Sequence, residues 1–98
     1  PDMPAYLIGH IRVRDEARWA EYRSRVPGTL APWRGELLFR GRRAAVFSGE
    51  QPHPETVVLR FPDVASIEAW HRSADYQALI PIREAAADIV LASYASDD

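Results

Sequence analysis

The feature of this sequence that most restricts its fold is a hydrophobic spacing that switches between a period of two and a period near 3.6. Residues 6–13, YLIGHIRV, alternate between two faces, as a half-buried strand does. Asp15 then offers a typical helix N-cap, and the next run is predicted to end at Pro27-Gly28. Large side chains recur within it at helical spacing: Trp19, Tyr22 and Val26. The chain therefore begins as a strand followed by an amphipathic helix.

Three extended segments come next in the chain. They are ELLFRG at 36–41, AAVFSG at 44–49 and TVVLRF at 56–61. Because only short turns and a proline-containing loop separate them, they predict an antiparallel meander. Before them, a short helical turn at 30–33 stays open, since Pro32 opposes it.

A second helical region follows the meander. Asp63 or Ser66 caps a helix that runs to about Arg72. Residues 75–87 continue at helical spacing, with a kink or a restart at Pro81. These helices are predicted to pack on the same sheet as the first.

The last predicted strand is IVLASY at 89–94. The order β-α-β-β-β-α-β predicts an α+β, ferredoxin-like split βαβ fold with one short added strand, whose antiparallel sheet carries helices on one face only. Apolar strand residues would then lie on the other face: Ile8, Leu38 or Val58, depending on register. Such a face needs cover, so we expect a two-fold homodimer with two sheets packed face to face.

Length and composition limit the classes of protein. A chain of 98 residues predicts one domain, 1–98, and 47% hydrophobic with 27% charged residues is ordinary for a soluble globular protein. No apolar run approaches the roughly 18 residues of a membrane span, and no basic start precedes an apolar stretch, so we expect a cytoplasmic protein without membrane contact. A net charge of −2 gives no reason to expect nucleic acid.

This sequence lacks the residues that several kinds of enzyme chemistry require. Cysteine is absent, and all 12 basic residues are arginine, which removes thiolate nucleophiles and lysine Schiff bases. The three histidines, His10, His53 and His71, do not have the close spacing of a metal site. No glycine-rich phosphate loop or serine nucleophile elbow occurs. We therefore expect neither a metal nor a cofactor.

Six parts of the sequence carry a resemblance to a known family. They are AYLIGHIRV at 5–13, AEYR at 20–23, RGELLFRG at 34–41, GE at 49–50, RFPDVASIEAW at 60–70 and, most specifically, SADYQALIPIREAAA at 73–87. Over residues 5–94 the chain resembles the domain-of-unknown-function 1330 (DUF1330) family of the dimeric α/β-barrel superfamily. It departs from the family at Arg34-Gly35, where two glycines are expected, and at His71, where the family more often has an aromatic ring.

The resemblance implies architecture more than activity. Similar dimeric barrels include cofactor-free monooxygenases, polyketide cyclases, lactone isomerases, haem enzymes and proteins of no known chemistry, so the fold indicates only where a site would lie. In several relatives the small-molecule pocket lies between the sheet and its own helices. We expect a ligand pocket there.

The candidate catalytic residues lie on the helices that would face this pocket. His71 shares a helical face with Val64 and Ile67, which places an imidazole among apolar side chains. Imidazole exchanges protons near neutral pH, and a phenol such as Tyr22 or Tyr76 can polarise a carbonyl beside it. We assign catalytic roles to His71, Tyr76 and Tyr22.

Two arginines and two tryptophans complete the predicted site as substrate-binding residues. Arg83 falls on the otherwise apolar stripe of the 75–87 helix, and with Arg40 it suits a carboxylate or an oxyanion. Trp19 and Trp70 would line the pocket. Each of these residues also has a structural interpretation, since tyrosine and tryptophan commonly fill cores and a histidine can be satisfied by a backbone carbonyl.

Two hypotheses of function remain. The first is a small cofactor-independent enzyme that performs acid–base chemistry, by cyclisation, isomerisation or hydrolysis of a lactone or ester, on a hydrophobic carbonyl compound of specialised metabolism. The second is a homodimer that binds a small ligand without catalysis or is purely structural. A cofactor-free monooxygenase is a further alternative. An enzyme requires His71 and a tyrosine hydroxyl near one ligand position, whereas a structural role requires a closed core.

Overall fold

The computed structural model describes residues 3–97 and contains four strands with helices between them. The elements in chain order are β1 (Ala5–Val13), α1 (Glu16–Leu30), a 3₁₀ turn (Ala31–Trp33), β2 (Glu36–Arg42), β3 (Glu55–Phe61), α2 (Val64–Arg72), α3 (Ala74–Gln77), α4 (Ile80–Ala86) and β4 (Ala87–Ala95).

The four strands form one sheet in the order β2-β3-β1-β4, and every neighbouring pair is antiparallel. In β1, Leu7, Gly9 and Ile11 are buried beneath the helices, while Ile8 and His10 lie on the opposite face and are half-buried. The period of two in β1 therefore places the helices on one side. The predicted α+β, ferredoxin-like fold is confirmed.

Helix α1 is longer than its proline and glycine predicted. Asp15 caps it by accepting a hydrogen bond from the Arg18 backbone N–H at 3.1 Å. The helix continues through Pro27 and Gly28 to Leu30, so the predicted end at 27–28 is wrong. Both residues are exposed, and a carbonyl that loses its partner to proline can bond to water there. No helix within residues 3–97 is long and apolar enough to cross a bilayer.

The 3₁₀ turn after α1 forms despite Pro32, because that proline occupies a starting position where no N–H is required. The turn ends at Arg34, which adopts a left-handed conformation with φ 60°. Next to it, a Cβ added to Gly35 would come within 2.8 Å of the Phe61 ring. Both positions therefore favour glycine, which is the pair that the family resemblance implies.

The predicted strand AAVFSG does not form. Residues 43–54 are a loop between β2 and β3, closed at its base by the Arg43 backbone N–H, which donates to the Pro54 carbonyl at 2.6 Å. Within residues 3–97 the alternating segment pairs with no strand, although β2 keeps a free edge in the order β2-β3-β1-β4. Phe47, at the loop tip, is 97% exposed.

The second helical region is broken twice, and the predicted restart at Pro81 is confirmed. Ser73 ends α2 and caps α3, where its hydroxyl accepts from the Tyr76 backbone N–H at 3.3 Å. Helix α4 begins at Ile80 with Pro81 in its first turn. These breaks turn the chain so that Tyr76 and Leu79 both point into the core, with 0% and 4% of their surface exposed.

The face of the sheet away from the helices is uncovered in the protomer, and we call it the uncovered face. Ile8 lies opposite Val58 on it, as expected, and Phe39, Val90 and Tyr94 are each at least half exposed. Leu38, which was expected there too, sits in a bulge of β2 and is 47% exposed.

Candidate functional site

Two spaces lie between the helices and the sheet. The larger, which we call the groove, has a volume of about 520 Å³ and runs between α2, α4 and the strands β1 and β4. The smaller, which we call the cavity, has a volume of about 80 Å³ and lies between α1 and the strands. The two share four lining residues: Leu7, Trp70, Ile89 and Leu91.

The groove combines an apolar floor with a polar rim. Leu7, Ile89 and Leu91 form the floor, since they occupy the helix-facing positions of β1 and β4. The polar side chains of the groove are those of Glu68, His71, Arg72, Arg83 and Ser93. Such a surface suits a small molecule with an apolar body and one or two polar groups.

His71 lines the groove but is exposed, so its predicted burial is wrong. In α2 the inward positions are filled by Ile67 and Trp70, three residues apart and both buried. His71 is the next residue after Trp70, and it lies at the exposed side of the helix. Its ring centroid lies 5.6 Å from that of Tyr76 and 6.3 Å from that of Trp70, so two aromatic rings support one side of the imidazole.

A chain of hydrogen bonds connects three of the predicted residues through the core. Arg83 Nη1 donates to the Tyr76 hydroxyl at 2.9 Å, and the hydroxyls of Tyr76 and Tyr22 are 2.8 Å apart. Because a guanidinium can only donate, Tyr76 Oη accepts from Arg83, while either hydroxyl can donate in the bond between Tyr76 and Tyr22. Burial, together with the neighbouring Tyr76, raises the pKa of Tyr22, so this phenol stays protonated.

Of these three hydrogen-bonded residues, only Arg83 lines the groove. Its side chain is only 13% exposed, and Nη2 lies 3.7 Å from the Glu84 carboxylate. Its Nε is buried and has no hydrogen-bond partner among residues 3–97. A charged donor is thus held in a fixed place beside the groove with hydrogen-bonding capacity left over.

The cavity contains the other predicted binding residues. Trp19 stacks on Tyr22, with ring centroids 5.2 Å apart, and both line the cavity beside Arg40 from β2. Trp70 separates the cavity from the groove, and its indole N–H donates to the Thr29 hydroxyl at 2.9 Å.

The seven predicted site residues therefore do not meet at one point. The groove has His71, Arg83 and Trp70, whereas the cavity has Trp19, Tyr22, Arg40 and Trp70. Tyr76 lines neither space and is fully buried between them. A ligand in the groove would contact His71 and Arg83 directly and Tyr76 only through Arg83.

Two lining residues went unnoticed in the sequence. Ser93 faces the groove because it pairs with Leu7, and Arg23 lines the cavity from the middle of α1. Ser93 could have been found, since it shares the alternating face of Ile89 and Leu91. Arg23 could have been found as well, since it lies four residues after Trp19 and three before Val26 on the same helical stripe.

The remaining histidines lie elsewhere. His10 Nδ1 is 3.1 Å from the Thr56 hydroxyl on the uncovered face, and His53 is half-buried in the 43–54 loop. Within the described part of the chain, no three His, Cys, Asp or Glu residues lie close enough together to hold a metal ion.

The fold and these two spaces place the protein among small α+β proteins in which a pocket lies between the helices and a ferredoxin-like sheet. The sequence matches the model of the family described as a domain of unknown function, DUF1330, over residues 4–94. The protein belongs to this family. No functionally curated protein matches the sequence.

Solved structures show the same fold at low sequence identity. A protein of unknown function from Rhodopseudomonas palustris has a TM-score of 0.82 at 17% identity, covering 100% of this chain and 85% of its own. A hydroxynitrile lyase from Passiflora edulis has a TM-score of 0.77 at 13% identity, covering 100% and 97%. SnoaB, a cofactor-independent oxygenase from Streptomyces nogalater, has a TM-score of 0.67 at 8% identity, covering 100% and 96%. Three more, at 10–17% identity, are described as dimeric proteins of unknown function, two of them from Jannaschia and Thermobifida fusca.

Proposed function

We propose that this protein is a small cofactor-independent enzyme that moves a proton next to a carbonyl group in a hydrophobic small molecule. The observation that carries the proposal is that an accessible imidazole, His71, and a fixed guanidinium, Arg83, line the same groove above an apolar floor. A base and an anion-stabilising donor are the two groups that such a reaction requires.

The reaction would begin with neutral His71 as the general base. The imidazole takes a proton from the carbon beside the carbonyl; the C–H bond breaks, an N–H bond forms, and the electron pair moves onto the carbonyl oxygen. Arg83, which lines the groove, stabilises that oxyanion with its positive charge. Return of the proton from the imidazolium to another carbon gives isomerisation. In cyclisation the enolate carbon forms a C–C bond to a second carbonyl, whose π electron pair moves onto its oxygen, and that alkoxide takes the proton back from the imidazolium.

Tyr76 and Tyr22 take positioning roles in this mechanism instead of the catalytic roles that the sequence predicted. Tyr76 is fully buried and holds Arg83 Nη1, while Tyr22 completes the chain behind it. The two neutral phenols do not neutralise Arg83, and its ion pair with the 65% exposed Glu84, at 3.7 Å, is weak, so the guanidinium keeps most of its attraction for an oxyanion. Trp70, which borders the groove, would contact the apolar part of the substrate.

The comparisons support an enzyme only as a class. The lyase and the oxygenase share this fold, and the oxygenase is named as cofactor-independent, so the fold is compatible with catalysis by the protein's own residues. Several similar structures have no known function. The choice of proton transfer therefore rests on His71 and Arg83.

We also propose that the chain forms one domain and pairs as a two-fold homodimer through the uncovered face. Phe39, Val90 and Tyr94 are at least half exposed there, and three proteins of this fold are described as dimeric. Packing two such faces together would bury about 1,200–2,000 Å², the usual size of a stable interface.

The test is deuterium exchange at carbon. Ketones, β-keto esters and lactones would be incubated with the protein in D₂O, and loss of the α-proton signal followed by NMR. We expect one compound class to exchange faster with the wild type, and His71→Gln to reduce the enzymatic rate by about 10²–10⁴-fold. His53→Gln, in a loop outside the groove, serves as the control. Equal rates for His71→Gln and the wild type would contradict the proposal, and an absence of exchange would favour a ligand-binding dimer.

A further inference from the structure

A bulge in β2 determines which side chain of this strand faces the cavity. Leu37 pairs with Leu59, but the next pairs are Phe39 with Val58 and Arg40 with Val57, so Leu38 is an extra residue. In a regular strand Phe39 would follow Leu37 onto the helix side and Arg40 would lie on the uncovered face. The bulge exchanges them, and Arg40 lines the cavity.

Arg40 meets a second arginine there. Arg23 of α1 lines the same cavity, and burial, together with the charge of Arg23, lowers the pKa of Arg40. Neither guanidinium forms a salt bridge with an acid in the described part of the chain. The nearby acids of β2 and β3 are paired with other arginines, Glu55 with Arg42 and Glu36 with Arg60. Two positive charges are thus left facing an apolar space.

Trp19, one of the lining residues of the cavity, also has a donor without an acceptor. Trp19 is only 4% exposed, and its indole N–H has no hydrogen-bond partner within residues 3–97. A buried donor of this kind is costly unless something accepts its proton. Trp19 Nε1 and both arginines can only donate hydrogen bonds, and the hydroxyl of Tyr22, the other polar lining residue, is already bonded to the Tyr76 hydroxyl.

We propose that the cavity binds a small aliphatic carboxylate, with its charged end at Arg40 and Arg23 and its alkyl chain between α1 and the sheet. Only an acceptor group suits this set of donors, and a carboxylate offers two oxygens to two guanidiniums. Val26, Leu30, Val57 and Leu59 provide apolar walls. A volume of about 80 Å³ is below the ~150 Å³ cavity that takes benzene, so the ligand has a short chain and no ring.

This site does not require the groove to be catalytic, because none of its charged groups lies in the groove. The two spaces share an apolar wall that includes Trp70, so one molecule could extend from one into the other. The carboxylate site stands even if no reaction occurs in the groove.

The test is binding of butanoate, with butan-1-ol as the uncharged probe, followed by calorimetry and by tryptophan fluorescence. We expect saturable butanoate binding that is at least tenfold tighter than that of the alcohol and is weakened by salt. Arg40→Gln should weaken butanoate at least tenfold, and Trp19→Phe, which keeps the ring and removes the N–H, several-fold.

The matched control is Arg25→Gln, also on α1 but outside the cavity and paired with Glu21. It should bind butanoate like the wild type. Arg40 is exposed, so its substitution leaves the core intact, and circular dichroism checks that the variants are folded. Equal binding of butanoate by Arg40→Gln and Arg25→Gln, equal binding of the alcohol, or no butanoate binding by the wild type would overturn the proposal.

Discussion

Tyr76 connects two polar side chains, Arg83 and Tyr22, in an otherwise apolar part of the interior. Its hydroxyl receives the Arg83 N–H and contacts the Tyr22 hydroxyl, and its ring lies 4.1 Å from that of Trp70, centroid to centroid. Helical spacing predicted that Tyr22, Tyr76 and Arg83 face inward, and all three lie between the helices and the sheet. The hydrogen bonds among them depend on the angle between α1 and α4, which no local pattern encodes.

Replacing Tyr76 by phenylalanine should destabilise the protein by about 1–3 kcal/mol. The substitution leaves Arg83 Nη1 and the buried Tyr22 hydroxyl without their shared partner, and unpaired buried groups are costly. Urea unfolding measures the change. Ser48→Ala, which removes an exposed hydroxyl in the 43–54 loop, is the control. A Tyr76→Phe variant as stable as Ser48→Ala would show that the chain of hydrogen bonds contributes little.

Helical spacing predicted the wrong residue of α2 for the buried position, His71 instead of Trp70. The helical period placed His71 with Val64 and Ile67, but Trp70, a larger apolar side chain next to it, takes the buried position instead. A period of 3.6 leaves two neighbouring residues competing for one inward direction, and side-chain size decides between them.

Among the elements, the strands and helices that bury a complete apolar face were predicted, and the irregular ones were not. β1, β3 and β4 contain the predicted strands within their bounds. The bulge at Leu38 depends on cross-strand register, which the sequence of β2 alone does not contain. The segment at 44–49 alternates like a strand but does not add to the free edge of β2, which shows that local alternation alone does not determine strand pairing.

At the end of the 3₁₀ turn, replacing Arg34 by glycine should stabilise the protein by about 0.5–1 kcal/mol. Arg34 has the only positive φ of a non-glycine residue between residues 3 and 97, and glycine removes the steric cost of that conformation. For a domain of this size the melting temperature should rise by about 2–8 °C. Arg34→Ala keeps the Cβ and should not stabilise, so an alanine variant as stable as the glycine variant would contradict this interpretation.

At the scale of the whole molecule, the sheet has helices on one face only, and the exposed apolar side chains of its other face are the basis for the proposed dimer. The sequence predicted this face from alternation alone, because β1 and β3 have apolar residues on both sides. Which residues meet across a dimer depends on the twist of two sheets and cannot be derived from one chain.

Replacing Val90 by aspartate should convert the proposed dimer into monomers. Val90 lies opposite His10 on the uncovered face and is 52% exposed in the protomer, so a charge there is tolerated by the fold but not by a buried interface. Sedimentation equilibrium measures the mass. Ala20→Asp places the same charge on the exposed surface of α1 and should remain dimeric. A dimeric Val90→Asp variant would place the interface elsewhere.

The most direct test of the central claim is the response of the three histidine rings to carbonyl compounds, followed by NMR. If the groove is the active site, a compound that binds there should shift the ring signals of His71 and leave those of His10 and His53 in place, since these two lie on the uncovered face and in the 43–54 loop. If none of the carbonyl compounds moves the His71 signals, or if all three rings respond alike, the groove is not the site of chemistry.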